Sequence, residues 1–213
     1  MADKQKFMLY RSLAYGLRGV SSHLGLFIKY ILIAAVGLIA LLSLAILTNE
    51  LFFSEIQTRW ILISKAVIFS SILVLFIFWI GFGLIRSCLA LYDTGKTSLK
   101  LLFPPPLLFM KGISVVLIMF CVSVLMEILM VNVSILFIVP LIYFWILSYF
   151  TQVAIADQKG ILEAFSISFR IANNNKITTS ISFVLFILLG TILAPIILLS
   201  IVYLYRNLSV NEK

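Results

Sequence analysis

The chain has 213 residues, of which 63% are hydrophobic and 11% are charged, and its formal net charge is +8. Its mean hydropathy of +1.20 excludes an ordinary soluble domain, because a fold of this size leaves much of its chain facing water. The basic residues flank apolar segments, so the positive charge favours anionic lipid headgroups as partners and argues against nucleic acid.

The first predicted element is a basic amphipathic helix over residues 5–22. Apolar residues such as Leu13 and Leu17 are mixed there with Lys6 and Arg11. This pattern is typical of a helix that lies in the headgroup region along the membrane surface. We therefore expect an interfacial helix ahead of the first membrane span.

Five long apolar runs make up most of the remaining chain. A hydrocarbon core of about 30 Å requires roughly 20 apolar residues in a helix, and each run reaches or approaches that length. The predicted fold class is therefore an all-α polytopic transmembrane helical bundle, forming a single integral membrane domain over residues 1–213. The predicted spans lie near residues 24–47, 60–85, 107–130, 133–151 and 178–205.

The distribution of Lys and Arg predicts the orientation of the bundle. Twelve of the sixteen lie in or next to the N-terminal segment and the connectors after the second and fourth runs. The connector after the first run carries only Arg59 and Lys65, beside two glutamates. Because cytoplasmic segments are enriched in Lys and Arg, the N-terminus is predicted to be cytoplasmic.

The connector between the second and third runs is basic. Lys96 and Lys100 are its candidate interaction residues. The Gly-Lys-Thr triplet at residues 95–97 is reminiscent of a phosphate-binding P-loop, but position 90 is Ala where that motif requires glycine. Three prolines at residues 104–106 end the connector and predict a stiff, extended entry to the third span. We therefore expect a basic loop without a nucleotide site.

The third and fourth runs are joined by very few residues, which predicts a tight antiparallel hairpin. Glu127 and Asn132 lie close to its outer tip. A carboxylate inside a span marks a relay or ion path by default, but Glu127 is near enough to the outer end to reach the interface. Pro140 is expected to kink the fourth span. All three are candidate functional residues, with an interfacial or locally paired role favoured for Glu127.

Residues 157–176 have the most organised polar pattern in the chain. Apolar residues at spacings of three and four predict a short cytoplasmic amphipathic helix. Asp157 is expected to accept hydrogen bonds from backbone amides at the helix start. The candidate interaction residues are Asp157, Phe165, Phe169 and Arg170. The predicted apolar stripe consists of Ile161, Leu162, Phe165, Phe169 and Ala172.

The final run, 178–205, allows two interpretations. One long tilted helix gives five spans and an external C-terminus, whereas two short helices broken near Gly190 to Pro195 give six spans and a cytoplasmic C-terminus. Two full spans do not fit in so few residues, so five spans are favoured. The number of crossings and the side of the C-terminus stay open at this point.

Three groups of short motifs carry a family resemblance: Gly81 to Phe103 with Tyr92-Asp93-Thr-Gly95-Lys96 inside it, Asp157 to Asn174, and Tyr203-Leu-Tyr205-Arg206-Asn207-Leu208. On them, the chain resembles the YciC-like bacterial inner-membrane proteins and the related membrane domain of glycerophosphodiester phosphodiesterases, over about residues 80–208. The resemblance implies a polytopic helical domain, commonly of six spans, without an established activity. With the charge bias, it implies the bacterial inner membrane. The chain departs from the family in its compressed final segment, and because the 213 residues contain no phosphodiesterase sequence, we do not expect that enzyme's chemistry.

The residues argue against an enzyme. The one histidine, His23, lies at the membrane edge, and the acidic residues are scattered through different segments without the spacing of a metal or catalytic site. We therefore expect no catalytic residues, metal or cofactor. The favoured function is a structural, scaffolding or accessory membrane component that binds a membrane-protein partner or forms a homo-oligomer. The alternative is a transporter or binder of a lipid or small hydrophobic molecule, which would need few polar groups within the spans.

Overall fold

The computed structural model describes residues 2–51, 59–132, 138–189 and 193–210, and the regular structure among them is helical, which confirms the all-α fold class. A 3-10 turn, Leu99–Leu102, precedes the helix that begins at Pro106. The predicted hairpin tip, around residues 131–133, falls at the end of a helix whose last residue is Asn132, whereas residues 133–137 and the predicted break at Gly190 lie outside the described residues. The helices are α1 (Ala2–Ser22), α2 (Leu24–Leu51), α3 (Arg59–Thr94), α4 (Pro106–Asn132), α5 (Ile138–Leu147), α6 (Thr151–Ala156), α7 (Ile161–Asn174), α8 (Lys176–Leu189) and α9 (Ala194–Val210).

Four segments of these helices are long and apolar enough to cross a membrane, and they correspond to the first four predicted spans. The second segment continues to Thr94, past the predicted end at residue 85. No glycine or proline interrupts α3 there, and the helix stops where Gly95 adopts a φ of 67° and donates its N–H to the Leu91 carbonyl. The four segments are Leu24–Ser43, Ile68–Thr94, Pro106–Met130 and Ile138–Ala156.

The fourth span bends between α5 and α6, at residues 148–150. Ser168 of α7 inserts into the backbone there: its hydroxyl donates to the Leu147 carbonyl at 2.6 Å and accepts from the Phe150 N–H at 3.0 Å. A side chain inserted in this way replaces helical hydrogen bonds and bends the helix. Pro140 is exposed in the first turn of α5, and the kink predicted there depends on neighbours at residues 133–137, which the structure does not describe.

One end of the bundle collects the start of α2, the end of α3, the start of α4 and the end of α6. The Tyr30 hydroxyl joins α2 to this end, lying 2.8 Å from Ser87 Oγ and 3.0 Å from the Ser98 carbonyl oxygen. Gln152 Nε2 donates to the Gly112 carbonyl at 3.4 Å and so joins α6 to α4. We call it the basic end, because it carries Lys29, Arg86 and Lys111.

The packed core lies at the basic end, whereas the spans contact one another little along the rest of their length. In the most apolar part of each span, only 11% of residues are buried in the first, 17% in the second, 11% in the third and 33% in the fourth. The apolar side chains that remain exposed along the spans are suited to contact with lipid or with other membrane helices. The largest fully buried side chains include Tyr30, Phe82, Phe150 and Tyr205.

The turn before α4 packs directly on the backbone of α3. A Cβ added to Gly83 would lie 2.8 Å from both the Cα and the carbonyl oxygen of Leu102, so only glycine permits this approach. Arg86, one turn further along α3, donates from Nη1 to the carbonyls of Leu101 and Phe103, each at 3.2 Å. The connector is thus folded back against α3 rather than extended freely from it.

The predicted N-terminal amphipathic helix is present as α1, and it packs along α9. A Cβ added to Gly16 would collide with the Ile196 carbonyl and the Ser200 side chain, and one added to Gly19 would lie 2.9 Å from Leu199 Cδ1. Two glycines one turn apart therefore let the two helices approach closely. The location of α1 in the headgroup region stays a prediction.

The helix predicted over residues 157–176 is present as α7, but its buried face differs from the predicted stripe. Ala164, Ser168 and Ile171 are fully buried, whereas Leu162 is 84% exposed. Leu162 was therefore wrongly assigned to the stripe, because the buried face of the helix runs through Ala164, Ser168 and Ile171, and Leu162 lies on the other side. Gly160 precedes the helix and donates its N–H to the Glu163 carboxylate, so the pKa of Glu163 is lowered by this hydrogen bond and by Lys159.

The final apolar run is divided between α8 and α9, each shorter than the four long spans. Pro195 lies in the first turn of α9, where its missing N–H removes no helical hydrogen bond. The C-terminal end of α9 reaches the basic end, as Arg206 shows by its contacts there. The number of times this run crosses the membrane stays a prediction.

Candidate functional site

The strongest polar arrangement in the described residues is centred on Arg206 of α9. Its Nη1 and Nη2 donate to the two Asp157 carboxylate oxygens, both at 2.8 Å. Its Nε donates to Asp93 Oδ1 at 3.0 Å, and Nη2 also contacts the second Asp93 oxygen. We call Asp93, Asp157, Tyr205 and Arg206 the Arg206 junction. It ties α9 to the end of α3 and to the connection between α6 and α7.

The electrostatics of the Arg206 junction follow from its composition. One guanidinium is shared by two carboxylates, and Arg206 and Asp157 keep only 22% and 19% of their side-chain surface exposed. Tyr205 adds a neutral donor, since its hydroxyl donates to Asp157 Oδ2 at 3.2 Å. A planar guanidinium with five N–H donors can bind two carboxylates at once. The ammonium group of lysine is a compact point charge with three donors and does not offer this geometry.

An aromatic cluster lies beside this junction. Tyr15 of α1, Tyr92 of α3 and Tyr203 of α9 have ring centroids 5.2–6.0 Å apart. Asn207 Nδ2 donates to the Tyr92 hydroxyl at 3.2 Å. Three helices that are far apart in the chain are therefore held together by one polar junction and one aromatic cluster.

Asp157 was predicted from the sequence to be a site residue, but with a different role. It was expected to cap the following helix, whereas the structure caps that helix with Gly160 and Glu163 and pairs Asp157 with Arg206. Asp93 and Arg206 were not candidate site residues. The only available signal was their presence in the motifs Tyr92-Asp93 and Tyr205-Arg206, since a contact across 113 positions has no local pattern.

A second candidate site is an open cleft of about 420 Å³ between α5 and α7. Phe169 packs against Phe144 of α5, and the two ring centroids lie 6.3 Å apart. Tyr143 Oη lies 3.5 Å from Asn173 Oδ1, at the long limit of a hydrogen bond. Phe169 and Arg170 are thus brought together with residues that the sequence analysis did not select. The lining residues are Tyr143, Leu147, Phe169, Arg170, Asn173 and Asn174.

The other predicted site residues are not gathered into either site. Glu127 is exposed on α4, and Asn132 ends α4 with a side chain that the structure does not describe. Lys96 and Lys100 are exposed on the connector between α3 and α4. Phe165 is half-buried against the core, with its ring 5.9 Å from that of Phe169. Phe165 therefore has a packing role in the structure.

Metal-binding side chains are dispersed in the described part of the chain. Within residues 2–51, 59–132, 138–189 and 193–210, no group of three or more His, Cys, Asp or Glu side chains could hold a metal ion. Cys88 is buried and Cys121 is exposed, and both are free thiols. Comparison with protein-family models, curated proteins and solved structures finds no match to this chain.

Proposed function

We propose that this protein is a non-enzymatic accessory or scaffolding component of the bacterial inner membrane. The observation that carries the proposal is the one-sided distribution of its packing. The Arg206 junction and the buried core lie at the basic end, while the most apolar parts of the four long spans bury only 11% to 33% of their residues. A chain built in this way anchors in the bilayer and holds a compact platform at one membrane surface.

The charge distribution supports a cytoplasmic orientation for the platform. Lys and Arg are concentrated in the segments that meet at the basic end, as expected for the cytoplasmic side. Each such residue near the surface attracts anionic lipid headgroups by about 1 kcal/mol. The N-terminus is accordingly proposed to be cytoplasmic. The resemblance to YciC-like inner-membrane proteins gives the same location.

Two features of the platform support a protein partner or a second copy of the chain. Leu162 of α7 is 84% exposed on a helix whose opposite face is buried. Lys96 and Lys100 are exposed on the connector, which is held against α3 by Arg86. An exposed apolar side chain and exposed lysines are each suited to contact with a membrane-protein partner.

The test is a tagged purification in native nanodiscs, with mass spectrometry of the proteins retained. We expect a stoichiometric partner, or a homo-oligomer, that is lost when Lys96→Glu and Lys100→Glu are combined. The matched control combines Lys96→Arg and Lys100→Arg, which keep the charge. A protein that purifies alone as a monomer, or an assembly that the charge reversal leaves unchanged, would contradict the accessory function.

The second candidate function is a binder or transporter of a lipid or small hydrophobic molecule. The cleft between α5 and α7 favours it, because apolar walls and polar side chains meet there. A transporter would also depend on polar side chains within the spans. Glu127 is such a carboxylate, near the predicted outer end of the third span. Loss of an uptake or efflux phenotype in Glu127→Gln would favour this candidate over the accessory function.

A further inference from the structure

We infer that the cleft between α5 and α7 binds the headgroup of one anionic glycerophospholipid, with its phosphate on Arg170 and Asn173. The inference uses the proposed membrane location but not the accessory function. Binding of a lipid and binding of a protein partner are measured separately, so either can fail without the other.

The polar side of the cleft has the chemistry that a phosphate requires. Arg170 contributes a guanidinium, which forms charge-assisted and bidentate hydrogen bonds to phosphate oxygens. Asn173 lies one turn further along α7, and with Oδ1 turned towards Tyr143 its Nδ2 donors remain for another acceptor. Both side chains are exposed, so a headgroup can reach them from outside.

The charges around the cleft favour an anion. Lys176 is exposed at the start of α8, immediately after the end of α7. The carboxylate on α7 belongs to Glu163, two turns before Arg170, and it already accepts from Gly160 and pairs with Lys159 at 3.3 Å. A phosphate in the cleft would therefore meet positive charge and amide donors.

The apolar side of the cleft continues in the direction that acyl chains would take. Tyr143 and Leu147 line the cleft, and Val139 lies one helical turn before Tyr143 on the same face of α5. Val139 is 64% exposed, so this apolar face continues beyond the cleft and away from the basic end. A headgroup at Arg170 with acyl chains along Val139 matches the two ends of an amphipathic lipid.

Native mass spectrometry of the full chain in detergent tests the assignment by titration with phosphatidylglycerol and with zwitterionic phosphatidylcholine. We expect one saturable phosphatidylglycerol per chain, bound more tightly than phosphatidylcholine. Arg170→Gln should raise its dissociation constant about tenfold, as for loss of one charge-assisted contact. The matched control is Arg18→Gln, which removes an exposed positive charge from α1 and should leave the dissociation constant unchanged.

Three results would overturn the inference. The first is an Arg170→Gln protein that binds phosphatidylglycerol as the wild type does. The second is an equal loss in Arg18→Gln, which would indicate diffuse surface attraction. The third is competition by soluble glycerophosphoglycerol at the same concentration as the lipid, which would assign the site to a soluble phosphate ligand. If Arg170→Gln lowers the thermal midpoint, Asn173→Ala decides, and an unchanged dissociation constant there overturns the inference.

Discussion

At the residue scale, a few polar side chains join segments that are remote in the chain. Arg206 connects Asp93 and Asp157, Ser168 connects α7 to the bend of the fourth span, and Tyr30 connects α2 to α3. Each of these groups is at least half-buried or lies against a buried partner. Removing one therefore leaves a polar group without its partner in a place where water replaces it poorly.

Arg206→Gln should destabilise the protein by about 1–3 kcal/mol, because two carboxylates would then face each other across a half-buried site. The measurement is the thermal midpoint in detergent. Arg18→Gln, on the exposed face of α1, is the control and should change stability by less than about 0.5 kcal/mol. Equal midpoints for the two variants would contradict the role assigned to the Arg206 junction.

Ser168→Ala should destabilise the protein by about 1–3 kcal/mol, since the Phe150 N–H is buried and would lose its acceptor. Ser166→Ala, two residues away on the exposed side of α7, is the matched control. Chemical denaturation of both variants in the same detergent makes the comparison. If Ser166→Ala is as costly as Ser168→Ala, the hydroxyl of Ser168 does not support the bend.

At the element scale, the sequence predicted the helices well and their mutual packing poorly. Apolar runs and turn residues carry the signal for α2, α3, α4 and α7, because that signal is local. The division of the fourth span was not predicted at residues 148–150, since its cause is Ser168 from another helix. The Arg206 junction was missed for the same reason. Only Asp157 and the residues Phe169 and Arg170 of the cleft were selected in advance.

The two glycines at Gly81 and Gly83 provide a test of packing at this scale. Gly83→Ala should destabilise by about 1–3 kcal/mol, because the new Cβ would overlap the backbone of Leu102 in the turn. A Cβ at Gly81 meets nothing within 4 Å, so Gly81→Ala should be neutral or stabilise the helix by up to about 1 kcal/mol. Thermal midpoints of the two single variants decide, and an equal loss in both would contradict the contact between the turn and α3.

At the scale of the whole molecule, the exposed apolar surface and the packed core occupy different parts of the fold. The long helices are apolar along their exposed surfaces, whereas the polar contacts between helices concentrate at the basic end. The C-terminal part of α9 lies at the basic end, where Arg206 makes its contacts. The connector after α3, the start of α7 and the C-terminal part of α9 should therefore share one side of the membrane. The bias of Lys and Arg predicts that this side is the cytoplasmic one.

The most direct test of this one-sided platform is cysteine accessibility in intact cells. In a background with Cys88→Ala and Cys121→Ala, single cysteines are introduced as Lys96→Cys, Ser166→Cys and Ser209→Cys, with Asn49→Cys for the opposite side. We expect a membrane-impermeant maleimide to label Asn49→Cys in intact cells and the other three only after the membrane is opened. Labelling of Ser209→Cys from outside, while Lys96→Cys is protected, would separate α9 from Asp93 across the membrane and contradict the account.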